Sequence, residues 1–549
     1  MDFNLAAAVR ASGLASFQIV ALASALAFAA YGVGLVIYRL YFSPISHIPG
    51  SKLTAITGWY ETYLDVFKGG QFTFQIEKWH QQYGPIVRIT PWEVHIADAE
   101  YYEVLFNNKT RYSKIEKLRY RFGLHLSSFD TIDHGHHHMR RSAVSPFFAR
   151  QKIIDFSPQI QDMADRMVTR LATEFGSRAK AVDMNEAYAA FVSDAINYYT
   201  FAISYNFLDY PDFVTPFTTS IRKLAMSLHI AGHFPWFLTI MQAVPESVVQ
   251  LLNPLMVPVF QFHNVRIDAR TSAPGSRQRA QRGERRGVES REVKNQIIKI
   301  ISGENSANKS VRHRTVFHEL LQSSLPPEEL SVERLKHEAA SITGAGIDTT
   351  KTTLGLATYH ILANQHILER LRAELKDAIP EVNAAIPSVP ELEQLPYLNA
   401  IVQESLRLAF GISQRLSRIN PHGPITYGSY VIPANVPFSM TSYLQHRDPK
   451  IFPDPDAFRP ERWLGKPKSP SDKPLSRYLV PFGKGPRMCL GMNFAMAELY
   501  IGLATVFRRL DLELYETGRD AVDMAADYFV PIPKEGTEGI RVLVNGPAM

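Results

Sequence analysis

The sequence is poor in cysteine: its 549 residues include a single one, Cys489. One thiol cannot form an internal disulfide, and it cannot supply a multi-cysteine zinc site or an iron–sulfur cluster. The cysteine-rich extracellular classes are therefore excluded, and a reducing compartment is favoured. Taken alone, Cys489 could be a small core hydrophobe, a nucleophile or a metal ligand, and the inert core residue is the commonest of the three.

Excess charge is also lacking outside one segment. The formal net charge is +6, and residues 266–291 contribute +5 of it, because they hold eight arginines against Asp268, Glu284 and Glu289. This composition, with few apolar residues, is typical of a solvated loop. No aromatic residue lies between the arginines, so the pattern does not indicate nucleic-acid binding. We interpret residues 266–292 as a basic surface insertion.

Long apolar runs are absent except near the N-terminus, where residues 11–38 carry no formal charge. About 20 apolar residues cross a bilayer as a helix, so we expect a single transmembrane anchor here. The run is longer than the core of a cleaved signal peptide, which has about 7–15 residues. A short segment of residues 1–10 precedes the anchor, and residues 39–50 form a proline-containing linker.

The rest of the chain, residues 51–549, reads as a single domain. Residues 86–96 alternate apolar and polar side chains, which predicts a small hairpin. From residue 99 to 378 the apolar spacing is mostly helical, and residues 331–364 predict a helix about 50 Å long. A last helix opens near residue 489 and runs to about residue 509. The predicted fold class is α+β, mainly α with small peripheral sheets.

The segment around Cys489 carries the strongest chemical signal. It reads FGKGPRMCLG from Phe482 to Gly491, and its glycines allow the backbone to approach another group closely. The helix that follows, and Arg487 two residues before the sulfur, favour a thiolate. A thiolate serves a nucleophile or a metal ligand, and the sequence assigns no general base to a nucleophile.

This loop resembles the haem-binding loop of cytochromes P450, F-x-x-G-x-R-x-C-x-G, at every fixed position. Two other segments stand in the family's order: AGIDTT at residues 345–350 resembles the oxygen-activating stretch of the central helix, and ESLR at residues 404–407 resembles the E-x-x-R pair. The chain is most similar to fungal microsomal members that resemble trichodiene oxygenase. The resemblance covers nearly the whole chain and implies the cytochrome P450 fold behind one membrane helix.

The resemblance implies a b-type haem as cofactor, with Cys489 as the axial ligand of its iron. The two haem propionates need cations, and the family often has Trp where His137 stands. The other residues expected to contact the cofactor are Arg487, Phe482, Gly483, Gly491, Arg141, His137, Arg418, Ala345 and Gly346.

The resemblance also implies roles for polar residues outside the loop. Thr349 and Asp348 are the expected catalytic residues, with Thr349 positioning a water and Asp348 relaying protons. Glycines at residues 344 and 346 cost about 1 kcal/mol each in mid-helix, and a widened groove that admits O₂ is the expected reason. As implied structural residues, Glu404, Arg407 and Arg462 form a buried cluster.

The activity implied is that of a monooxygenase that hydroxylates or epoxidises a hydrophobic secondary metabolite, namely a terpenoid, meroterpenoid or polyketide. Electrons would come from NADPH through cytochrome P450 reductase, docked where Arg487 and Lys484 meet an acidic partner, with cytochrome b5 as an optional second donor. We expect a monomer in the endoplasmic reticulum membrane, with a cytosolic catalytic domain and no nucleic-acid partner.

Four segments are expected to contact the substrate: residues 112–128, 341–348, 413–416 and 527–530. Two alternatives stay open. One is a haem-thiolate isomerase or dehydratase without need for O₂, against which the Asp348-Thr349 pair argues. The other is a non-catalytic membrane haem protein, against which the complete motif set argues.

Overall fold

The computed structural model describes residues 3–119, 121–178, 180–214, 228–237, 240, 244 and 315–548. The predicted basic insertion, residues 266–292, lies outside the described residues. The α-helices are α1 Phe3–Ile37, α2 Lys52–Ile56, α3 Trp59–Thr62, α4 Phe72–Tyr83, α5 Tyr102–Leu105, α6 His134–Val144, α7 Arg150–Glu174, α8 Met184–Phe201, α9 Val316–Leu321, α10 Val332–Leu362, α11 Gln365–Ala378, α12 Val389–Leu392, α13 Pro396–Ala409, α14 Ser442–His446 and α15 Met492–Arg509.

The strands are short and peripheral, as predicted. They are β1 Ile86–Arg88, β2 Val94–Ile96, β3 Ser113–Lys114, β4 Val182–Asp183, β5 Arg418–Ile419, β6 Ile425–Tyr427, β7 Tyr430–Ile432, β8 Phe438–Ser439, β9 Leu510–Leu514, β10 Ala526–Tyr528, β11 Val530–Ile532 and β12 Arg541–Pro547. The largest sheet has the order β1-β2-β8-β5-β3, and the others are β4-β12-β9, β6-β7 and β10-β11. The mainly α fold class with small sheets is confirmed.

The predicted hairpin and the long central helix are both present. In β1 and β2 the strands are antiparallel, with Ile86 opposite Ile96. Helix α10 runs from Val332 to Leu362, and Ser331 is its N-cap residue. It packs along α8, which is buried on almost every side. The core between α7, α8, α10 and α15 is apolar, and its burial is the main driving force for this arrangement.

The N-terminal helix α1 leads into a π-helical turn over Tyr38–Phe42. The stretch Phe17–Phe42 is long and apolar enough to cross a membrane, and none of its residues is buried. The linker that follows is tied to the body. Arg39 Nη1 donates to the carbonyl of Ile56 (2.5 Å), and Arg88 Nη1 donates to the carbonyl of Arg39 (2.7 Å).

Candidate functional site

The loop before α15 holds Cys489 in a fixed position. Its N–H donates to the carbonyl of Phe482 (2.8 Å). Gly483 and Gly485 have φ of 65° and 74°, a region that disfavours other residues. A Cβ at Gly485 would lie 3.0 Å from the carbonyl oxygen of Phe106. Glycine is therefore required where the loop passes this backbone.

The sulfur of Cys489 faces an interior space. The residue has accessible surface, yet burial raises its pKa, and only the Gly491 N–H and the charge of Arg141 oppose this. Accessible surface deep inside a protein belongs to a cavity. Ala345 in the middle of α10 is likewise exposed although Ile347 beside it is buried. A deep, accessible thiol is what a prosthetic group with an axial sulfur ligand requires.

The structure corrects one prediction about this thiol. Without a bound metal its pKa is raised by burial and not lowered. Arg487 does not act on the sulfur, because its guanidinium donates to the carbonyls of Thr131 (2.6 Å) and Ile132 (2.7 Å). Arg141 is the cation that acts on Cys489. The thiolate would have to be stabilised by the charge of a bound metal.

Five basic side chains gather near the loop: Lys114, His137, Arg141, Arg418 and Arg487. Burial lowers the pKa of Arg418 to about 10. Burial and the neighbouring Arg418 lower that of Arg487 to about 9. Burial, followed by the charge of Arg487, lowers the pKa of His137 to about 2. The sequence predicted four of these residues and missed Lys114, whose pKa is also lowered by burial and by Arg418.

Within the described part of the chain, these basic groups have no direct anionic partner: no carboxylate lies within 4.0 Å of the charged atoms of Lys114, Arg141, Arg418 or Arg487. The Nε of Arg487 and the Nδ1 of His137 are buried without a hydrogen-bond partner among the residues that the structure describes. Buried charges are normally paired. A haem with two propionates fits this site, because it brings the missing negative charge to the cluster beside an accessible thiol.

The predicted catalytic pair lies on α10. The Thr349 hydroxyl donates to the carbonyl of Ala345 (3.0 Å), and Asp348 pairs with Lys351 (2.7 Å). Helix α10 is assigned as α-helix throughout, and the widened groove stays a prediction. A Cβ at Gly346 would lie 3.2 Å from Cγ1 of Ile196. The glycine is therefore explained by the close approach of α8.

The predicted structural cluster centres on Glu404, which is fully buried with Arg407. Arg407 donates to both carboxylate oxygens, at 2.9 and 2.8 Å, and Arg462 donates to Oε1 at 2.9 Å. The Trp463 indole (2.9 Å) and the Arg459 N–H (2.8 Å) complete the shell. Burial raises the pKa of Glu404, but the two arginines outweigh it and the pKa is lowered.

A buried histidine that the sequence did not reveal joins this cluster to the cysteine loop. His446 Nδ1 lies 2.9 Å from the carbonyl of Arg407, and its Nε2 accepts the Val480 N–H at 2.8 Å. Because one partner only accepts and the other only donates, the ring is neutral with its proton on Nδ1. The Val480 carbonyl then accepts the N–H of Gly483 (3.0 Å). The cluster thus positions the loop that carries Cys489.

Three of the four segments predicted to contact the substrate meet in the structure. The rings of Phe122 and Phe529 lie 4.9 Å apart, and the Gln414 N–H donates to the Phe529 carbonyl (3.3 Å). Ser128 donates to Glu338 of α10 (2.9 Å), which precedes the fourth segment, residues 341–348, by about one turn. Where these segments meet, the edge-to-face rings of Phe122, Phe129 and Phe529 form an aromatic wall.

The predicted docking cations are not free surface charges. Arg487 is turned inward, and Lys484 pairs with Glu103. Arg477 pairs with the same carboxylate. Lys484, Arg477 and Glu103 together carry a net charge of +1, so the pairing lowers the positive charge that an acidic partner would meet but does not remove it.

Comparisons with known proteins agree with the site. A family model described as cytochrome P450 matches residues 59–536. The cytochrome P450 monooxygenase orf6 of Eupenicillium brefeldianum is 45% identical over 526 residues, which cover 95% of this chain and 99% of the relative. The monooxygenase sdnE of Sordaria araneosa is 39% identical and covers 95% and 97% of the two chains. The tryptophan 6-hydroxylase fscE of Fusarium equiseti is 36% identical and covers 93% and 94%.

Proposed function

The chain belongs to the cytochrome P450 family and is a monooxygenase of that family, and we propose that it hydroxylates or epoxidises a hydrophobic secondary metabolite. The relatives reported above include fungal monooxygenases and a protein named tryptophan 6-hydroxylase. The observation that supports the proposal best is the buried cationic cluster without direct anionic partners, beside an accessible, internal Cys489. A terpenoid, meroterpenoid or polyketide is the substrate class that we propose.

Four residues of the site would bind the haem directly. Cys489 is the iron ligand, and Arg141, Arg418 and Arg487 are the propionate contacts. The haem supplies oxygen activation and oxidation of the substrate when it is bound. The residues of the chain bind and orient this group, and the internal position of the thiol excludes bulk water from it.

Helix α10 supplies two further polar groups, Thr349 and Asp348. While Thr349 donates to Ala345, its oxygen keeps lone pairs with which it accepts a hydrogen bond from a water molecule. Asp348, held by Lys351 at 2.7 Å, is the group that takes up and returns protons at its carboxylate. We assign Thr349 to positioning and Asp348 to proton relay, a division typical of general acid–base catalysis.

The function test uses a host that expresses the chain with an NADPH-dependent reductase and is fed terpenoid, meroterpenoid and polyketide candidates. With the substrate so identified, Thr349→Ala should lower product formed per NADPH by about ten- to a hundredfold and raise hydrogen peroxide release. Thr353→Ala is the matched control, since its hydroxyl only donates to the Thr349 carbonyl (2.9 Å). If Thr349→Ala formed as much product per NADPH as the wild type, the role assigned to Thr349 would be contradicted. Turnover without reductase would favour an isomerase or dehydratase.

We place the protein in the endoplasmic reticulum membrane as a single-pass monomer with a cytosolic catalytic domain, with cytochrome P450 reductase and optionally cytochrome b5 as electron donors. The apolar helix ahead of the body supports membrane anchoring, and the lack of paired cysteines supports a reducing compartment.

Deletion of residues 1–38 should abolish membrane association that resists alkaline carbonate. The deletion removes most of the apolar stretch Phe17–Phe42, none of whose residues is buried, and keeps Arg39 with its bonds to Ile56 and Arg88. Fractionation of expressing cells measures the effect, and haem content checks that the body still folds. A deletion variant that stays in the carbonate-washed pellet would show that another surface provides the anchoring.

A further inference from the structure

Another buried arginine, Arg121, is not one of the residues proposed to hold the haem, although its charge acts on Lys114. The Arg121 side chain is 5% exposed, and its Nη1 donates to the Gln414 side-chain oxygen. A Cβ at Gly232 would lie 3.0 Å from Nε, so the glycine makes room for the guanidinium. Nε is buried without a partner, and Nη2 has no hydrogen bond to any residue that the structure describes. Burial lowers the pKa of Arg121.

The carboxylates that act on Arg121 are bonded to other groups. The negative charges of Asp65, Glu61 and Asp527 raise the pKa of Arg121, and the positive charge of Arg415 lowers it. None of these carboxylates forms a salt bridge with Arg121. Glu61 pairs with Arg415 (2.5 Å) and with Lys117. Asp65 faces His229 (3.5 Å) and His233.

Asp527 is also held elsewhere, since it accepts from Ser413 (2.9 Å) and from Thr73. A buried guanidinium without a direct carboxylate partner is costly in free energy. The described side chains therefore leave this charge incompletely compensated.

A fourth carboxylate, Asp130, faces the same region. It is 1% exposed, and neither of its oxygens has a hydrogen-bond partner. Burial raises the pKa of Asp130 to about 7, although the positive charges of Lys114 and Arg121 act to lower it. Asp130 is thus a weak counter-charge near neutral pH and does not contact Arg121.

Arg121 is linked to the aromatic wall of Phe122, Phe129 and Phe529 in two ways. Its chain neighbour Phe122 packs edge-to-face against Phe129 (5.8 Å) and Phe529 (4.9 Å). These three rings are only half-buried, so part of their surface remains for an apolar ligand. The partner of Arg121, Gln414, is bonded through its N–H to the carbonyl of Phe529.

We propose that the substrate carries a carboxylate on an apolar body, and that Arg121, oriented by Gln414, binds this carboxylate while the body lies against Phe122, Phe129 and Phe529. Guanidinium and carboxylate match in geometry and charge, and the low dielectric of the site strengthens the pair. This inference rests on the proposed function, whose substrate class it narrows to acids. Arg121 would then determine specificity without taking part in the oxidation itself.

The test measures dissociation constants by equilibrium dialysis with the full-length, haem-loaded protein. The probes are three acids and their primary amides: 4-phenylbutanoic acid, indole-3-butanoic acid and dodecanoic acid. At least one acid should bind the wild type tenfold or more tightly than its amide, because hydrogen bonds to charged groups contribute about 1.5–3 kcal/mol. Arg121→Gln should bring that ratio close to one, and Arg121→Lys should restore part of it.

Controls keep the result interpretable. Arg119→Gln, which removes a more exposed arginine two residues away, should leave the acid-to-amide ratio unchanged. If Arg121→Gln does not retain haem, Gln414→Met tests the same site by removing the group that orients the guanidinium, and the ratio should fall threefold or more. The carbon monoxide difference spectrum is recorded for every variant.

Three outcomes would overturn the proposal. One is a wild type that binds no acid more tightly than its amide. Another is a preference for the acid that survives in Arg121→Gln or, where that variant loses haem, in Gln414→Met. The third is tighter binding of the 4-phenylbutyl-trimethylammonium cation that is lost in Asp130→Asn. A wild type without the red-shifted Soret band would instead refute the haem-thiolate function.

Discussion

Cys489→Ala is expected to give a chain that loses its thiolate-ligated haem and, with it, monooxygenase activity by about a thousandfold or more. The side chain makes no packing contribution that alanine would greatly disturb, because its sulfur faces an interior space. The hydrogen bond from the Cys489 N–H to the Phe482 carbonyl is a main-chain bond and remains in the variant. The red-shifted Soret band of the reduced, carbon monoxide-bound protein should be absent.

Two measurements separate loss of the ligand from loss of the fold. Met488→Leu, one residue earlier in the loop, is the matched control and should retain the band. Thermal unfolding of the haem-free proteins should place Cys489→Ala within about 2 kcal/mol of the wild type, because the loss of the sulfur removes one weak hydrogen bond, the one from the Gly491 N–H. A Cys489→Ala protein that keeps the red-shifted band would refute the assignment of the iron ligand.

The single cysteine also shows where sequence reasoning succeeds. Composition alone favoured an inert thiol, and the spacing of Phe482, Arg487 and Gly491 around it reversed that interpretation. Local motifs of this kind are predictable because the residues that they need are close in the chain. The same holds for α10, whose apolar spacing predicted its ends to within two residues.

Contacts between distant segments could not be predicted in the same way. His446 lies 39 residues from Arg407 and 34 from Val480, and nothing in its local sequence distinguishes it from a surface histidine. Lys114 and Arg121 lie in a region with little regular structure, where periodicity gives no signal. Gly346 is a further example: its motif suggested a groove for O₂, and the structure adds a close approach of Ile196 to this glycine, which the local sequence could not show.

Glu404→Gln is expected to be the most destabilising conservative substitution in the body. The carboxylate accepts hydrogen bonds from Arg407, Arg462, Trp463 and the Arg459 N–H. The side-chain amide of glutamine has one acceptor oxygen, and its NH₂ group would point two N–H donors at the N–H groups of its neighbours. Two buried arginines then lack compensation, which typically costs about 3–5 kcal/mol, out of a total stability of about 5–15 kcal/mol.

The expected result is a steep loss of haem-containing protein and a much lower unfolding midpoint in urea. Glu391→Gln is the matched control: this glutamate caps α12 through Ser388 at an exposed site, so its loss should cost about 1 kcal/mol or less. Equal stability of Glu404→Gln and Glu391→Gln would contradict the role of the cluster in positioning the loop of Cys489.

The pH dependence of stability gives an independent check on the same carboxylate. Because the arginines outweigh burial, the pKa of Glu404 is lowered in the folded protein. A depressed carboxylate pKa contributes stability that is fully present above the unfolded value, about 4.3, and is lost as the pH falls toward the folded value. The gap in unfolding free energy between wild type and Glu404→Gln should therefore be constant near neutral pH and narrow below about pH 4. If the gap widened on acidification, Glu404 would be protonated in the fold, and the arginines would need another counter-charge.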